Sequence, residues 1–272
     1  MSHIRTVSVI IPTYNDGAVL KEAILSVSRS SYPLLEIIVV DDGSQSDDAR
    51  IIAESLGDKI NTPVIYIKKR NGGPSSARNS GLRLANSEWI AFLDADDVML
   101  SDSISSKFKY LNECKCLHDV TGVYGSFIWS TSGVIQPFIN SCNAVSRDYI
   151  GVLGKVPGGV PAYVLKKEAL IQIGGFDESL RFNEDFDFLL RLINAGYGLI
   201  GTDEPGFIRN VCEHSLTRIN QLESLNGSRV FLKKAYRNNL LSKREILRRL
   251  IINYISSLKR MTFVFIGNCI RK

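Results

Sequence analysis

The chain predicts an α/β protein: a mostly parallel sheet flanked by helices, with a basic helical extension at the C-terminus. Three observations carry this. Short apolar runs at 7–11, 35–40 and 89–93 have the length and β-branched content of strands buried on both faces. Helical spacing fills the stretches between them, and strand–helix alternation builds parallel, doubly wound sheets. The charge is also lopsided. The net charge is +5, yet from Ser228 onward twelve Lys or Arg face one acid, Glu245, giving +11 there and −6 over residues 1–227.

In order, Val7–Ile11 is the first strand, followed by a loop Pro12-Thr13-Tyr14-Asn15 and a helix from about Gly17 to Arg29. Leu35–Val40 is the second strand and ends in Asp41-Asp42-Gly43-Ser44. A third, Val64–Lys68, leads into the turn Asn71-Gly72-Gly73-Pro74, which opens a helix with Ser75 or Ser76 as cap and Arg78 in its first turn. The fourth strand, Trp89–Leu93, runs into Asp94-Ala95-Asp96-Asp97. Beyond it the alternation loosens. Ser103–Asn112 is helical, and Gly122–Trp129 with Val134–Phe138 reads as an antiparallel pair. Pro157–Pro161 and Gly174–Glu178 are loops. Asn183-Glu184-Asp185 then caps a helix with Phe186, Leu189, Leu190, Leu192 and Ile193 inward and Arg191 outward.

The chemistry should sit where the strands end, because open α/β sheets bind ligands at their carboxyl edge. Three carboxylates in four positions repel one another unless a cation lies among them. Asp94 and Asp96 suit a hard cation, Mn²⁺ or Mg²⁺, although Asp is also favoured at a helix start, and Asp97 is open to that reading. Asp42 can accept a hydrogen bond from a base or ribose, or serve turn chemistry alone. Tyr14 can stack on a base or pack at the rim. Arg78 can clamp a nucleotide oxygen or remain solvated. Glu184-Asp185 holds either a general base or a capping pair. Cys114 and Cys116 have no ligand partners at metal spacing and read as packing.

These motifs fall in a specific order. Pro12-x-Tyr14-Asn15, Val40-Asp41-Asp42-Gly43-Ser44, Asn71-Gly72-Gly73…Ala77-Arg78-Asn79-x-Gly81, Asp94-Ala95-Asp96-Asp97, Gly175-Phe176-Asp177-Glu178 and Glu184-Asp185 together resemble glycosyltransferase family 2 over roughly residues 5–217. The resemblance implies the GT-A fold, a Rossmann-like arrangement, and inverting transfer of a sugar from a nucleotide-diphosphate donor, usually a UDP-sugar, with Mn²⁺ or Mg²⁺. It implies that Pro12, Tyr14 and Asp42 hold the nucleobase and that Arg78 and Asp94 face the nucleotide. Asp94 and Asp96 would hold the metal, Asp185 would be the catalytic base, and Glu184 would lie near the acceptor. Residues 1–220 would form the transferase domain, with 1–100 the donor half and 101–220 the acceptor half. Residues 221–272 would be the basic tail. One departure stands out. Many relatives carry a His three residues before the Ser of a Ser-Leu-Ser/Thr segment, where this chain has Cys212 ahead of Ser215-Leu216-Thr217, with His214 adjacent. Which of the two contributes stays open.

The expected acceptor is a glycan or lipid-linked oligosaccharide of a bacterial surface polysaccharide, O-antigen or capsule. In 243–258 an apolar stripe (Leu247, Leu250, Ile251, Tyr254, Ile255, Leu258) stands apart from Arg244, Arg248 and Arg249, which suits core or dimer packing or an interfacial helix on anionic lipid. The basic excess favours the membrane, and no motif points to nucleic acid. Five scattered cysteines and no leader pattern suggest a cytoplasmic protein, peripheral on the inner face of the cell membrane. Three rivals are weaker. A sugar-1-phosphate nucleotidyltransferase needs a Gly-rich phosphate loop after the first strand, where Pro12–Asp16 has none. A receiver-like module is shorter and needs no Glu184-Asp185. A degenerate transferase acting as a scaffold does not need an intact acid set.

Overall fold

The computed structural model describes residues 4–114, 120–131, 134–138, 158–210 and 221–252. The elements are β1 (Val7–Thr13), α1 (Gly17–Ser28), β2 (Glu36–Asp41), α2 (Asp48–Gly57), β3 (Val64–Lys68), α3 (Pro74–Leu84), β4 (Trp89–Phe92), β5 (Val98–Met99) and α4 (Ser103–Glu113). Then follow β6 (Val120–Thr131), β7 (Val134–Phe138), a 3₁₀ turn (Val160–Ala162), β8 (Tyr163–Lys166), α5 (Lys167–Gln172), α6 (Glu184–Asn194), β9 (Gly198–Asn210) and α7 (Gln221–Arg237). A last helix, α8, covers 243–252.

One sheet runs through these parts in the order β3-β2-β1-β4-β8-β6-β9-β5, with β7 attached to β6. β3, β2, β1 and β4 are parallel, as the apolar runs predict. β1 and β2 are buried along nearly their whole length, so helices cover both faces. From β4 onward antiparallel pairing enters, through β8 against β4 and β6 against β8. The predicted antiparallel pair forms between β6 and β7, with Phe127 opposite Phe138. α2 is a helix that the alternation requires but whose limits the apolar pattern does not mark.

Several local expectations are corrected. α3 begins at Pro74, with Gly73 (φ 86°) as its N-cap residue, so neither Ser75 nor Ser76 caps it and Arg78 falls in its second turn. Proline presets the helical φ and needs no N–H partner at the first position, which moves the start forward. Asp97 opens no helix: residues 94–97 turn into the short β5, which pairs with β9. Asn183 stands at the N-cap of α6 in the left-handed region without a side-chain cap bond; its amide donates instead to Ser228 Oγ at 3.2 Å. Arg191 does not point outward. It is half-buried, donating to Asp187 Oδ2 at 2.7 Å and to the Ile173 carbonyl at 2.6 Å, because the buried Asp187 carboxylate requires a cation.

α7 belongs to the same core as the sheet: Phe231, Leu232 and Ala235 are buried in the main apolar cluster, as is Leu241 just beyond it. Cys114 packs beside Val120, Val123 and Ile200, in keeping with a packing role, while Cys116, Cys212 and His214 lie outside the described residues.

Candidate active site

The carboxyl ends of β1, β2 and β4 meet the starts of α3 and α6. At the β1 end, Asn15 adopts φ 58°, donating its N–H to Ser44 Oγ and accepting from the Gln45 N–H, each at 2.9 Å. That joins the 13–16 loop to the loop after β2. Tyr14 is exposed there and Pro12 half-buried behind it. At the β2 end, Asp42 is buried and its carboxylate accepts from Lys69 Nζ (2.6 Å), Gly72 N–H (3.0 Å) and Gly73 N–H (2.7 Å). Asp42 therefore folds the 69–73 loop over the sheet edge. Gly43 (φ 84°) permits the approach, since a Cβ there would stand 2.9 Å from the Asn71 nitrogen.

Arg78 is the joint of the site. Its guanidinium is buried, donates to Asp94 Oδ1 at 2.7 Å, reaches Glu184 Oε1 at 3.5 Å, and lies over the Phe176 ring at 5.5 Å. Burial works against its charge, but Asp94 and Glu184 outweigh it and hold its pKa above the usual value. One side chain from α3 thus links the end of β4 to the start of α6.

Beyond Asp94, the acids at the β4 end are not neutralised in this way. Burial raises the Asp96 carboxyl, and Asp94 and Asp16 push it further up. Asp97, buried, rises to about 8 through burial first and then repulsion from Asp94 and Asp96. β5 pairing with β9 brings Arg209 and Asn210 alongside: Asn210 donates its N–H to Asp97 Oδ1 (3.1 Å) and its amide to the Asp96 carbonyl (2.7 Å), while Arg209 partly offsets the charge of Asp96 and Asp97. At the start of α6, burial raises both Glu184 and Asp185, and Asp185 adds to the rise of Glu184. The Phe186 N–H, Arg78 and Arg209 pull Asp185 part of the way back. Arg209 of β9 thus acts on Asp96 and Asp185 alike, so the two do not lie on opposite surfaces. A half-buried carboxylate with a raised pKa is a competent proton acceptor.

The donor chemistry fits a hard cation: Asp94 and Asp96 are half-buried carboxylates two residues apart, and the charge of Asp94 pushes Asp96 up. Among the described residues no group of three or more His, Cys, Asp or Glu is arranged to hold a metal ion by itself. Two protein carboxylates are nonetheless enough for a cation that takes its remaining ligands from water and phosphate oxygens.

Behind Arg78 a second lock holds the Gly174–Glu178 loop. Asn79, buried, donates to the Phe176 carbonyl (2.8 Å) and Glu178 Oε1 (2.9 Å) and accepts from the Phe176 N–H (2.8 Å). Gly175 (φ 70°) leaves room for it, as a Cβ would stand 2.4 Å from Asn79 Oδ1. Phe176 then stacks on Phe188 of α6 at 4.2 Å. A cavity of about 710 Å³ adjoins this lock, lined by Asn79, Arg83, Lys167 and Arg191 among others, and includes none of the site acids.

The model for "Glycosyl transferase family 2" matches residues 8–141. An uncharacterized glycosyltransferase of Rickettsia typhi, RT0329, is 30% identical over 248 residues, covering 86% of this chain and 74% of its own. The chain belongs to glycosyltransferase family 2. The minor teichoic acid biosynthesis protein GgaB of Bacillus subtilis is 32% identical over 201 residues, 71% of this chain but 22% of GgaB. This family 2 chain accordingly spans between 22% and 74% of those relatives' lengths. Among solved structures, S. aureus TarS 1–349 in complex with UDP-GlcNAc has a TM-score of 0.66 at 20% identity, covering 84% of this chain and 65% of that one. The mannosyltransferase PcManGT of Pyrobaculum calidifontis, in complex with GDP-Man and Mn²⁺, has 0.62 at 23%, covering 87% and 65%. At these identities the likeness establishes the fold, which is GT-A.

Lys69, Asn79, Arg209 and Arg249 escaped the sequence reading of this family 2 site. Asn79 and Lys69 stand in or beside quoted motifs and were legible as neighbours of Arg78 and Gly72. Arg209 and Arg249 carry no local signal.

Proposed function

We propose that this protein is an inverting glycosyltransferase that moves a sugar from a nucleotide-diphosphate donor, a UDP-sugar, to a hydroxyl of a glycan or lipid-linked acceptor in bacterial surface polysaccharide synthesis. The observation that supports the reading is the Arg78 bridge, which joins Asp94 at the end of β4 to Glu184 at the start of α6, next to Asp185. GgaB, named for teichoic acid biosynthesis, supports a surface polymer as the product.

In this reading Tyr14 and Pro12 form a wall for the nucleobase, and the loop ordered by Asp42 closes its edge. Asp94 and Asp96 would hold Mn²⁺ or Mg²⁺, whose Lewis acidity neutralises charge on a leaving diphosphate. Arg78 keeps Asp94 and Glu184 fixed while the donor binds. Glu184 lines the acceptor side, and Asp185 takes the proton of the attacking hydroxyl from the face opposite the leaving group, which inverts the anomeric centre. A panel of UDP- and GDP-sugars, scored by melting temperature with and without Mn²⁺, tests it. One donor should raise the melting point only with metal, and Asp96→Asn should abolish the rise. No response to any donor sinks the proposal. The rival, a non-catalytic scaffold, would bind donor yet show the same turnover in wild type and Asp185→Asn.

No helix of the described residues is long and apolar enough to cross a membrane. An anionic bilayer at the inner face of the cell membrane is the partner we propose for the α7–α8 surface. Leu247, Leu250 and Tyr236 are exposed there beside Arg229, Lys233 and Lys243 around an apolar groove of about 550 Å³, and Ile251 is exposed on the same helix as Leu247. Each basic residue near such a surface contributes about 1 kcal/mol. Sedimentation with phosphatidylserine vesicles should pellet the wild type and leave Leu247→Glu/Leu250→Glu in the supernatant; equal pelleting removes the idea.

A further inference from the structure

α8 turns two unlike faces to its surroundings. Leu247, Leu250 and Ile251 are 60%, 45% and 50% exposed, whereas Arg249, a residue that sequence patterning assigns to the polar side, is only 5% exposed. Its guanidinium lies 4.3 Å from the centre of the Phe186 ring and 5.6 Å from that of Phe231. Phe186 directly follows Asp185 and donates its N–H to Asp185 Oδ1 at 2.8 Å. A cation from the end of the described chain thus rests on the first turn of α6, against the ring whose backbone holds the candidate base.

We propose that Arg249 is a positioning residue for Asp185, clamping Phe186 between α7 and α8, so that the C-terminal helices form part of the active-site wall. This rests on the proposed role of Asp185 as base and adds to it the part that α8 plays. The energetics agree. Long, flexible cations are seldom buried this fully unless something holds them, and here the faces of two aromatic rings attract the charge. Burial pulls Arg249 down to about 10, so it remains charged at neutral pH, and the Asp185 carboxylate favours that charge. The groups acting on Asp185 are Glu184 on its own helix, Arg78 from α3, Arg209 from β9 and Arg249 from α8, with Arg78 and Arg209 the stronger cations. Arg249 is the one of these that a bilayer-bound or displaced α8 would move.

The test needs no substrate. Full-length protein carrying ¹³C-carboxyl aspartate is titrated by NMR, with the Asp185 resonance assigned by its loss in Asp185→Asn. Arg249→Gln should shift the Asp185 midpoint upward beyond the error of the titration, and Arg249→Lys should restore most of it. A merely structural role would lower the melting temperature of both variants and leave the midpoint in place; that result overturns the proposal. Should Arg249→Gln fail to fold, Phe186→Leu removes the ring beneath the cation by a milder change. It should produce the same upward shift, and an unmoved midpoint there is equally fatal. Failure of Asp185 as base shows separately, as unchanged turnover in Asp185→Asn.

Discussion

Two strand ends carry consecutive aspartates, and the fold treats them differently. After β2, Asp41 accepts from the Ser44 N–H (2.7 Å) and Tyr66 hydroxyl (2.8 Å), while Asp42 accepts from two glycine N–H groups and Lys69. After β4, Asp94 has Arg78, but Asp96 is pushed up by Asp94 and Asp16, and Asp97 by Asp94 and Asp96. The first arrangement builds a loop. The second crowds carboxyl groups that Arg78 and Arg209 offset only in part, which raises Asp96 and Asp97 and suits a place where a cation arrives. Carboxylates at a strand end therefore say little until their donors are counted.

The sharpest break of this contrast is across the cleft. Asp185→Asn should lower turnover by about 10²–10⁴-fold, the worth of a positioned base, while donor-dependent melting shifts survive. Turnover near wild type would class Asp185 with the loop-building acids. Next in size, Asp42→Ala should cost about 1–3 kcal/mol in urea denaturation, because Gly72, Gly73 and Lys69 lose their acceptor. Asp96→Asn, measured in chelator, should instead raise stability. Equal losses in both would erase the distinction.

Asp97 supplies a pH test. Its folded pKa of about 8 lies above the ordinary 3.8, so between those values the native state holds the extra proton and stability falls as pH rises. In chelator, the melting temperature of Asp97→Asn should pull ahead of wild type from pH 5 to pH 8. A constant gap refutes the charge repulsion. Lys107 sharpens the comparison with the opposite sign. It is fully buried, donates to Ser103 carbonyl and hydroxyl at 3.0 Å, and is pulled down by burial from 10.5 to about 7. Between those values the unfolded chain holds more protons, so stability rises with pH by up to about 1.4 kcal/mol per unit. The stability of wild type relative to Lys107→Met should climb from pH 7 to pH 9, and parallel curves would disprove it.

Much of this was legible in the residues. The runs that became β1, β2 and β4 are apolar because they are buried on both faces, and the order of short motifs along the chain marked the family. Asp94, Asp96, Glu184 and Asp185 were identifiable because carboxylates at element ends are chemically conspicuous. Ser75 and Arg191 were misread for one reason: capping and exposure depend on neighbours distant in sequence, here Pro74 with Gly73 in one case and Asp187 with Ile173 in the other.

By itself the chain determined its parallel strands, its acidic sheet edge and its basic end, because periodicity, composition and charge are local properties. Only the tertiary structure decided that Arg78 joins Asp94 to Glu184, which lies 106 residues beyond Arg78, that Asp42 holds the 69–73 loop, and that Arg249 turns inward onto Phe186. Those are pairings of charge with partners, and a partner's position is set by how helices pack rather than by the spacing of residues along the chain.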